Sequence, residues 1–108
     1  MHRQHRKPLT IAHRGARSLA PENTLTAARQ AFDIGADMWE LDVCMTSDGE
    51  VILLHDDTLE RTSNAADVFP GREPWQIADF SLAEIRRLDF GSWFNRTDPF
   101  GQIAAGNV

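Results

Sequence analysis

The sequence predicts an α/β fold, because short apolar runs typical of strands alternate with segments of helical periodicity. Residues 9–12 form an apolar run that Gly15 ends, as expected of a buried strand. Apolar positions then recur with helical spacing between residues 25 and 34. Asp48-Gly49 lies between two strand-like runs, residues 38–45 and 51–54, and this is a strong hairpin signal.

The first helix is predicted to begin after Asn23 or Thr24, either of which could cap it, and to end near Gly35. Its apolar residues share one side, which is predicted to face inward: Leu25, Ala28, Ala31, Phe32 and Ile34. A later helix is predicted from the capping-box spacing of Ser81 and Glu84. Its inward residues are expected to be Leu82, Ile85 and Leu88, with irregular structure from Asp89 onward.

The hairpin fixes which side chains share a face, because strand side chains alternate with period two. If Asp48-Gly49 is a two-residue turn, Asp42 lies opposite His55. Glu40, Asp42 and His55 then share one face. The other face is predicted to be apolar, with Trp39, Leu41, Val43, Met45, Ile52 and Leu54.

Composition excludes several classes of function. The 108 residues suffice for one domain with a modest core, and the net charge of −5 has the wrong sign for a nucleic-acid binder. No apolar run approaches the length of a membrane span. The basic residues 1–8 are predicted to be a disordered arm rather than a signal peptide, since no apolar region follows. The single cysteine, Cys44, favours a reducing compartment, so we expect a cytoplasmic protein.

The polar residues on the predicted sheet indicate a phosphodiesterase centre. Glu40 and Asp42, one residue apart, can hold a hard divalent cation such as Ca²⁺ or Mg²⁺. His55 on the adjoining strand suits general acid or base chemistry. His13 and Arg14 at a strand end add a second imidazole and a guanidinium, and arginine binds phosphate oxygens in a bidentate manner. Each residue alone is commoner in a structural role.

The ordered stretches HRG, PENT, ELDV, TSDGEVILLHDDTLERT and GSWF resemble the glycerophosphodiester phosphodiesterase family from about residue 9 to residue 94. The resemblance implies a TIM barrel with its site at the carboxyl ends of the strands. It implies metal-dependent hydrolysis of a glycerophosphodiester to glycerol 3-phosphate and an alcohol. His13 and His55 would be the acid/base pair, Arg14 would contact the phosphate, and Glu40 and Asp42 would be metal ligands.

The resemblance covers only part of a barrel, which takes about 250 residues. A third metal-binding glutamate and a lysine, expected after GSWF, are missing. Residues 9–108 are therefore expected to form the N-terminal part of the domain, to be inactive alone, and to self-associate through open sheet edges. Three alternatives stay open: a non-catalytic fragment or pseudoenzyme acting with another chain, a small metal- or phosphate-binding module, and a sphingomyelinase-D-like phospholipase.

Overall fold

The computed structural model describes residues 7–108, and it begins with a β-α-β unit. Strand β1 (Ile11–His13) leads through a long loop to helix α1 (Leu25–Asp33) and then to strand β2 (Met38–Glu40). The two strands are parallel, and His13 pairs with Glu40 at their last residues. The predicted α/β class is confirmed. Of the predicted arm at residues 1–8, the structure describes only Lys7 and Pro8, and both are exposed. The remainder of that prediction lies outside the described residues.

The predicted hairpin is present, but its register differs by one residue. Strands β3 (Val43–Met45) and β4 (Val51–Leu53) are antiparallel, with Cys44 opposite Ile52. Thr46 and Glu50 extend the pairing, since the Thr46 N–H donates to the Glu50 carbonyl oxygen at 2.8 Å, and they leave a three-residue loop at residues 47–49. Gly49 in this loop has a φ of 81°, and the predicted two-residue turn was wrong. The backbone N–H of Leu54 donates to the carbonyl oxygen of Asp42 at 3.1 Å, and Asp42 therefore lies opposite Leu54 rather than His55.

The register decides which apolar side chains are buried. Ile52 and Leu54 of the predicted apolar face pack in or against the core. The other four members of that face are exposed: Trp39, Leu41, Val43 and Met45. Residues 38–45 are also not one strand, since β2 and β3 belong to separate two-stranded sheets. The shift by one residue therefore separates Val43 and Met45, which are exposed, from Ile52 and Leu54, which are packed in or against the core.

Helix α1 begins where the sequence predicts but buries a different face. The Thr24 hydroxyl accepts a hydrogen bond from the Ala27 backbone, which confirms the cap. The buried residues of the helix are Ala27 and Ala31. Leu25 is 86% exposed and Phe32 is 76% exposed, so the expected inward stripe of large side chains was wrong. Small residues face inward because the loop after β1 packs directly on this helix.

The core lies in the second half of the chain. It contains residues from β4 onward: Leu54, Leu59, Ala65, Phe69, Ile77, Phe80 and Ile85. Helices α2 (Ala65–Val68) and α3 (Leu82–Ile85) and a 3₁₀ turn (Ile77–Asp79) each contribute a residue to it, and α4 (Ser92–Thr97) follows them in the chain. The capping box before α3 is confirmed. The expectation of irregular structure from Asp89 onward was wrong only at residues 92–97, which form α4. The Asp89 carboxylate accepts hydrogen bonds from the backbone N–H groups of Gly91 and Ser92 at the start of this helix.

The described chain is more open than a closed domain of its length. Its radius of gyration is 16.7 Å, and its principal extents are 64 × 36 × 18 Å. A compact domain of this size has a radius of gyration of about 13 Å. No helix within residues 7–108 is long and apolar enough to cross a membrane.

The exposed sheet residues predict self-association of the isolated 108-residue chain. Val43 and Val51 lie on the outward face of the β3–β4 hairpin, and contiguous exposed apolar surface favours association. We expect concentration-dependent oligomers in size-exclusion chromatography with light scattering. Val51→Lys should reduce them, because a lysine on an exposed strand opposes edge pairing. Ala83→Lys, at an exposed helical position, should not. A wild-type chain that stays monomeric at every concentration would contradict this.

Candidate active site

The loop after β1 holds Arg14 in a backbone conformation that few residues adopt. Arg14 has a φ of 57°, in the left-handed region, and Gly15 follows at 81°. A Cβ atom on Gly15 would lie 2.7 Å from the Ala27 Cβ atom and 2.8 Å from its carbonyl carbon. Gly15 therefore permits both the turn and the close contact with α1. Strained backbone of this kind is common at functional sites.

Gly15→Ala should therefore destabilise the protein by about 2–4 kcal/mol, the sum of backbone strain and overpacking. Gly35→Ala is the matched control, since Gly35 has a φ of 80° but nothing within 4 Å of its position for a Cβ atom. The control carries the backbone penalty alone, about 1 kcal/mol. Urea denaturation of both variants measures the difference. Equal losses in the two variants would show that the contact with Ala27 is unimportant.

His13, at the carboxyl end of β1, lies between the carboxylate of Glu40 and the guanidinium of Arg17. Its Nε2 atom is 3.2 Å from Glu40 Oε2, because the parallel register sets these two residues side by side. The Arg17 guanidinium donates to His13 Nδ1 at 3.0 Å. Since a guanidinium only donates, Nδ1 is the accepting nitrogen and Nε2 carries the hydrogen in this arrangement. The predicted proximity of His13 and Glu40 is thus present.

Arg14 lies among carboxylates, and its side chain is only 13% exposed. Its Nη1 atom is 3.2 Å from Glu22 Oε2, and its Nε atom is 3.7 Å from Asp42 Oδ2. The Nε atom is buried and has no hydrogen-bond partner among the described residues. One oxygen of Glu40, Oε1, is likewise buried without a partner. A free donor and a free acceptor are unusual in a protein interior and indicate a place for a ligand.

Asp42 is held by Asn23, a residue that the sequence suggested only as a possible helix cap. The Asn23 amide donates to Asp42 Oδ2 at 3.1 Å, and the Asp42 backbone N–H donates to Asn23 Oδ1 at 3.3 Å. Asn23 adopts a φ of 55° to make this paired contact. Asparagine tolerates the left-handed region better than most residues, and this was the available signal.

His55 follows β4 and lies at a cavity of about 230 Å³ that Glu22, Asn23 and Phe90 also line. Its Nδ1 atom is 2.8 Å from Asp56 Oδ1. A carboxylate only accepts, so Nδ1 carries the hydrogen and Nε2 is left as the second nitrogen. Two hydrogen bonds from Arg61 reach Asp56, at 2.8 and 3.1 Å. Hydrogen bonding to Arg61 is the largest influence on the pKa of Asp56 and lowers it from 3.8 to about 2.

Glu22 connects the two halves of this region. Its side chain is 8% exposed and accepts from Arg61 at 2.8 and 2.9 Å and from Arg14 at 3.2 and 3.3 Å. Burial opposes ionisation of this carboxyl group, but hydrogen bonds and charge from the two arginines outweigh it and lower its pKa. The sequence drew attention to Glu22 only as a member of the PENT stretch. The contact with Arg14 spans 8 positions, whereas the contact with Arg61 spans 39 positions and has no local signal.

The two predicted metal ligands make different contacts. Glu40 contacts His13, whereas Asp42 contacts Asn23 and lies near Arg14. Within residues 7–108, no group of three or more His, Cys, Asp or Glu side chains is arranged to hold a metal ion. The donor set nevertheless fits a hard cation in part, since both residues offer carboxylate oxygens and Glu40 Oε1 has no partner.

Comparison with known proteins identifies a family to which the chain is similar. The model of the glycerophosphoryl diester phosphodiesterase family matches residues 13–103. Glycerophosphoinositol inositolphosphodiesterase GDPD2 of Mus musculus is 49% identical over 94 residues, which cover 87% of this chain and 17% of that protein. Glycerophosphodiester phosphodiesterase of Bacillus subtilis is 44% identical over 91 residues, covering 84% of this chain and 28% of the relative.

Solved structures show the same likeness. The glycerophosphodiester phosphodiesterase of Agrobacterium tumefaciens superposes with a TM-score of 0.71 at 39% identity, covering 82% of this chain and 36% of the other. An Oleispira antarctica phosphodiesterase, solved with its product sn-glycerol-3-phosphate, gives 0.71 at 36% identity and covers 86% and 34%. The chain thus spans about a third or less of these proteins. It belongs to the glycerophosphoryl diester phosphodiesterase family.

Proposed function

We propose that the protein hydrolyses a glycerophosphodiester to sn-glycerol 3-phosphate and an alcohol, and that this chain supplies part of the active site. The observation that carries the proposal is the pair of buried atoms without partners, Arg14 Nε and Glu40 Oε1. The first is a donor suited to a phosphate oxygen, and the second is an acceptor suited to a cation. The Oleispira antarctica relative, solved with sn-glycerol-3-phosphate, supports the choice of substrate class.

We further propose that the chain forms the first part of a (β/α)₈ barrel. The β1-α1-β2 unit, with its two parallel strands, is the repeating unit of such barrels. His13 and Glu40 are the last residues of β1 and β2. They therefore lie at the carboxyl ends of the strands, where TIM-barrel enzymes carry their active sites.

Arg14 has the role of binding the phosphodiester. Glu22 contacts Nη1, and Asp42 lies 3.7 Å from Nε without a hydrogen bond, so the Nε–H group keeps the capacity to donate to a phosphate oxygen. The left-handed backbone at Arg14 and Gly15 follows directly after β1, and the Arg14 side chain contacts Glu22 and Asp42. A bidentate guanidinium is a strong recognition element for phosphate.

The two histidines have the proton-transfer roles. His55 is held through Nδ1 by Asp56, so Nε2 is the atom that takes or delivers a proton at the phosphodiester. His13 has both nitrogens engaged, by Arg17 and by Glu40. It can therefore act through Nε2 only when the Glu40 carboxylate turns to another partner.

Glu40 and Asp42 are the residues that would hold a divalent cation, Ca²⁺ or Mg²⁺. The bound cation would neutralise charge on the phosphodiester. Hard cations take six or more oxygen ligands, so two carboxylates supply only part of the set. Asn23 fixes Asp42 from both sides and thereby limits where its free oxygen can reach.

The test uses a complete barrel that carries this segment, called the full-length protein below. Release of glycerol 3-phosphate from glycerophosphocholine and glycerophosphoethanolamine is followed with Ca²⁺, Mg²⁺ or a chelator present. We expect cation-dependent release of glycerol 3-phosphate. Sphingomyelin serves as the comparison substrate, and its preferred cleavage would favour a phospholipase instead. Absence of turnover on every substrate would contradict the proposal.

The cytoplasmic location stays a proposal that rests on the single cysteine, Cys44.

A further inference from the structure

A continuous chain of ion pairs runs from Arg14 to His55 through Glu22, Arg61 and Asp56, and the proposed mechanism gives Arg61 no role. Arg14 contacts Glu22 at 3.2 Å, and Arg61 contacts the same carboxylate with two hydrogen bonds at 2.8 and 2.9 Å. Arg61 then reaches Asp56, and Asp56 contacts His55 at 2.8 Å. Three residues, joined by four contacts, thus connect the guanidinium proposed to bind phosphate with the imidazole proposed to transfer a proton.

Arg61 is the centre of this chain. It makes two hydrogen bonds to Glu22 and two to Asp56, all between 2.8 and 3.1 Å. Its guanidinium also lies over the ring of Trp93, 5.9 Å from the ring centre. A planar guanidinium presents its donors at fixed angles, so the carboxylates on its two sides are held at a set separation. Lysine, as a point charge on a flexible stem, cannot do this.

The Glu22 end of this chain is buried, whereas the side chains of Arg61 and His55 are each 42% exposed. Glu22 has a side chain that is 8% exposed, and both of its oxygens accept hydrogen bonds. A buried carboxylate that lost one of its arginines would keep an uncompensated charge. Residues 22 and 61 are 39 positions apart in sequence. The contact therefore fixes the first loop relative to the segment after β4.

We propose that Glu22 and Arg61 are positioning residues that set the imidazole of His55 at a fixed distance from the guanidinium of Arg14. The proposal rests on the proposed function, in which these two groups act on one phosphodiester. Arg61 holds Asp56, Asp56 orients His55, and Glu22 ties Arg61 to Arg14. Displacements of about 1 Å in an active site can lower rates by about 10²-fold.

The first test is a double-mutant cycle in the full-length protein with Glu22→Gln and Asp56→Asn. These two residues have no direct hydrogen bond, and both bond to Arg61. We expect each single variant to lower kcat/KM by about 10–100-fold. The double variant should deviate from the product of the single effects by about fivefold or more, as coupled residues do. Independent, multiplicative effects would overturn the proposal.

The control is Arg72→Lys. Arg72 also bridges two acceptors, the Glu84 carboxylate and the Asp79 carbonyl oxygen, and lies over the Phe80 ring, 3.9 Å from its centre. Arg61→Lys should lower kcat/KM by about 10–100-fold. Arg72→Lys should lower the melting temperature but leave kcat/KM unchanged. Similar losses of activity in both variants would show that Arg61 acts only through stability.

The second test does not depend on activity. The ¹⁵N spectrum of the His55 ring reports its tautomer, and the wild type should carry the hydrogen on Nδ1. Glu22→Gln and Arg61→Lys should both shift this population toward the other tautomer. An unchanged tautomer would overturn the positioning chain even if the enzyme is active. A protein without phosphodiesterase turnover would refute the proposed function, and the tautomer would then decide the positioning chain alone.

Discussion

Replacing His55 by alanine is expected to lower kcat/KM for glycerophosphodiester hydrolysis by about 10²–10⁴-fold, the usual contribution of a general acid or base. The structural reason is the contact with Asp56, which holds Nδ1 and leaves Nε2 for the substrate. The measurement is steady-state kinetics of the full-length protein across a range of pH. The wild-type profile should be bell-shaped, and the variant should lose one limb of it.

The matched control for His55→Ala is Thr58→Ala, a change at a half-buried position three residues further along the chain. Its hydroxyl makes only a long contact with Glu60, at 3.4 Å, so activity should stay within about twofold of the wild type. A loss of only a few-fold in His55→Ala would reduce His55 to a structural residue. It would also leave Asp56 and Arg61 without a catalytic group to orient.

Replacing Glu40 or Asp42 by its amide is expected to lower cation-dependent activity by about 10³-fold or more, since a bound cation supplies several kcal/mol of transition-state stabilisation. Glu40→Gln removes the charge of the carboxylate whose Oε1 atom has no partner. Asp42→Asn removes the charge beside Arg14. Isothermal titration with Ca²⁺ and with Mg²⁺ should show weaker cation binding in both variants.

Glu50→Gln is the control for these two variants, because Glu50 is an exposed carboxylate at the start of β4. It should bind the cation as the wild type does and retain full activity. Unchanged cation binding in Glu40→Gln and Asp42→Asn would mean that other residues hold the metal. Weaker cation binding without loss of activity would mean that the reaction does not need the metal.

Acid should weaken the contacts around His55 through Asp56. Its pKa is about 2 in the folded protein against an ordinary 3.8, so the ionised form is favoured by folding. The resulting stability is fully present above pH 3.8 and is lost as the pH falls toward 2. Urea denaturation at a series of pH values between about 4 and 2 measures this loss, and stability that does not change over that range would contradict the prediction.

Local chemistry in the sequence was sufficient to predict several elements. The Thr24 cap, the Ser81–Glu84 capping box and the hairpin around Gly49 all depend on residues within a few positions of one another. Such contacts are encoded by side-chain type and spacing. The structure also places His13 beside Glu40, as the sequence predicted, because these residues end two parallel strands of one sheet.

The register of the hairpin and the choice of buried side chains depended on contacts between distant parts of the chain, so only the tertiary structure decided them. The three-residue loop at Gly49 moved Asp42 from His55 to Leu54 and turned Val43 and Met45 outward. Close packing of Gly15 on α1 buried Ala27 and left Leu25 and Phe32 exposed.

The sequence by itself determined the α/β class, the family and the residue types at the site, since these follow from local patterns and ordered motifs. It did not determine the link from Arg14 through Glu22 and Arg61 toward His55. That link joins segments 39 residues apart. Its geometry follows from how the loop after β1 packs against the segment after β4, and no spacing along the chain encodes that packing.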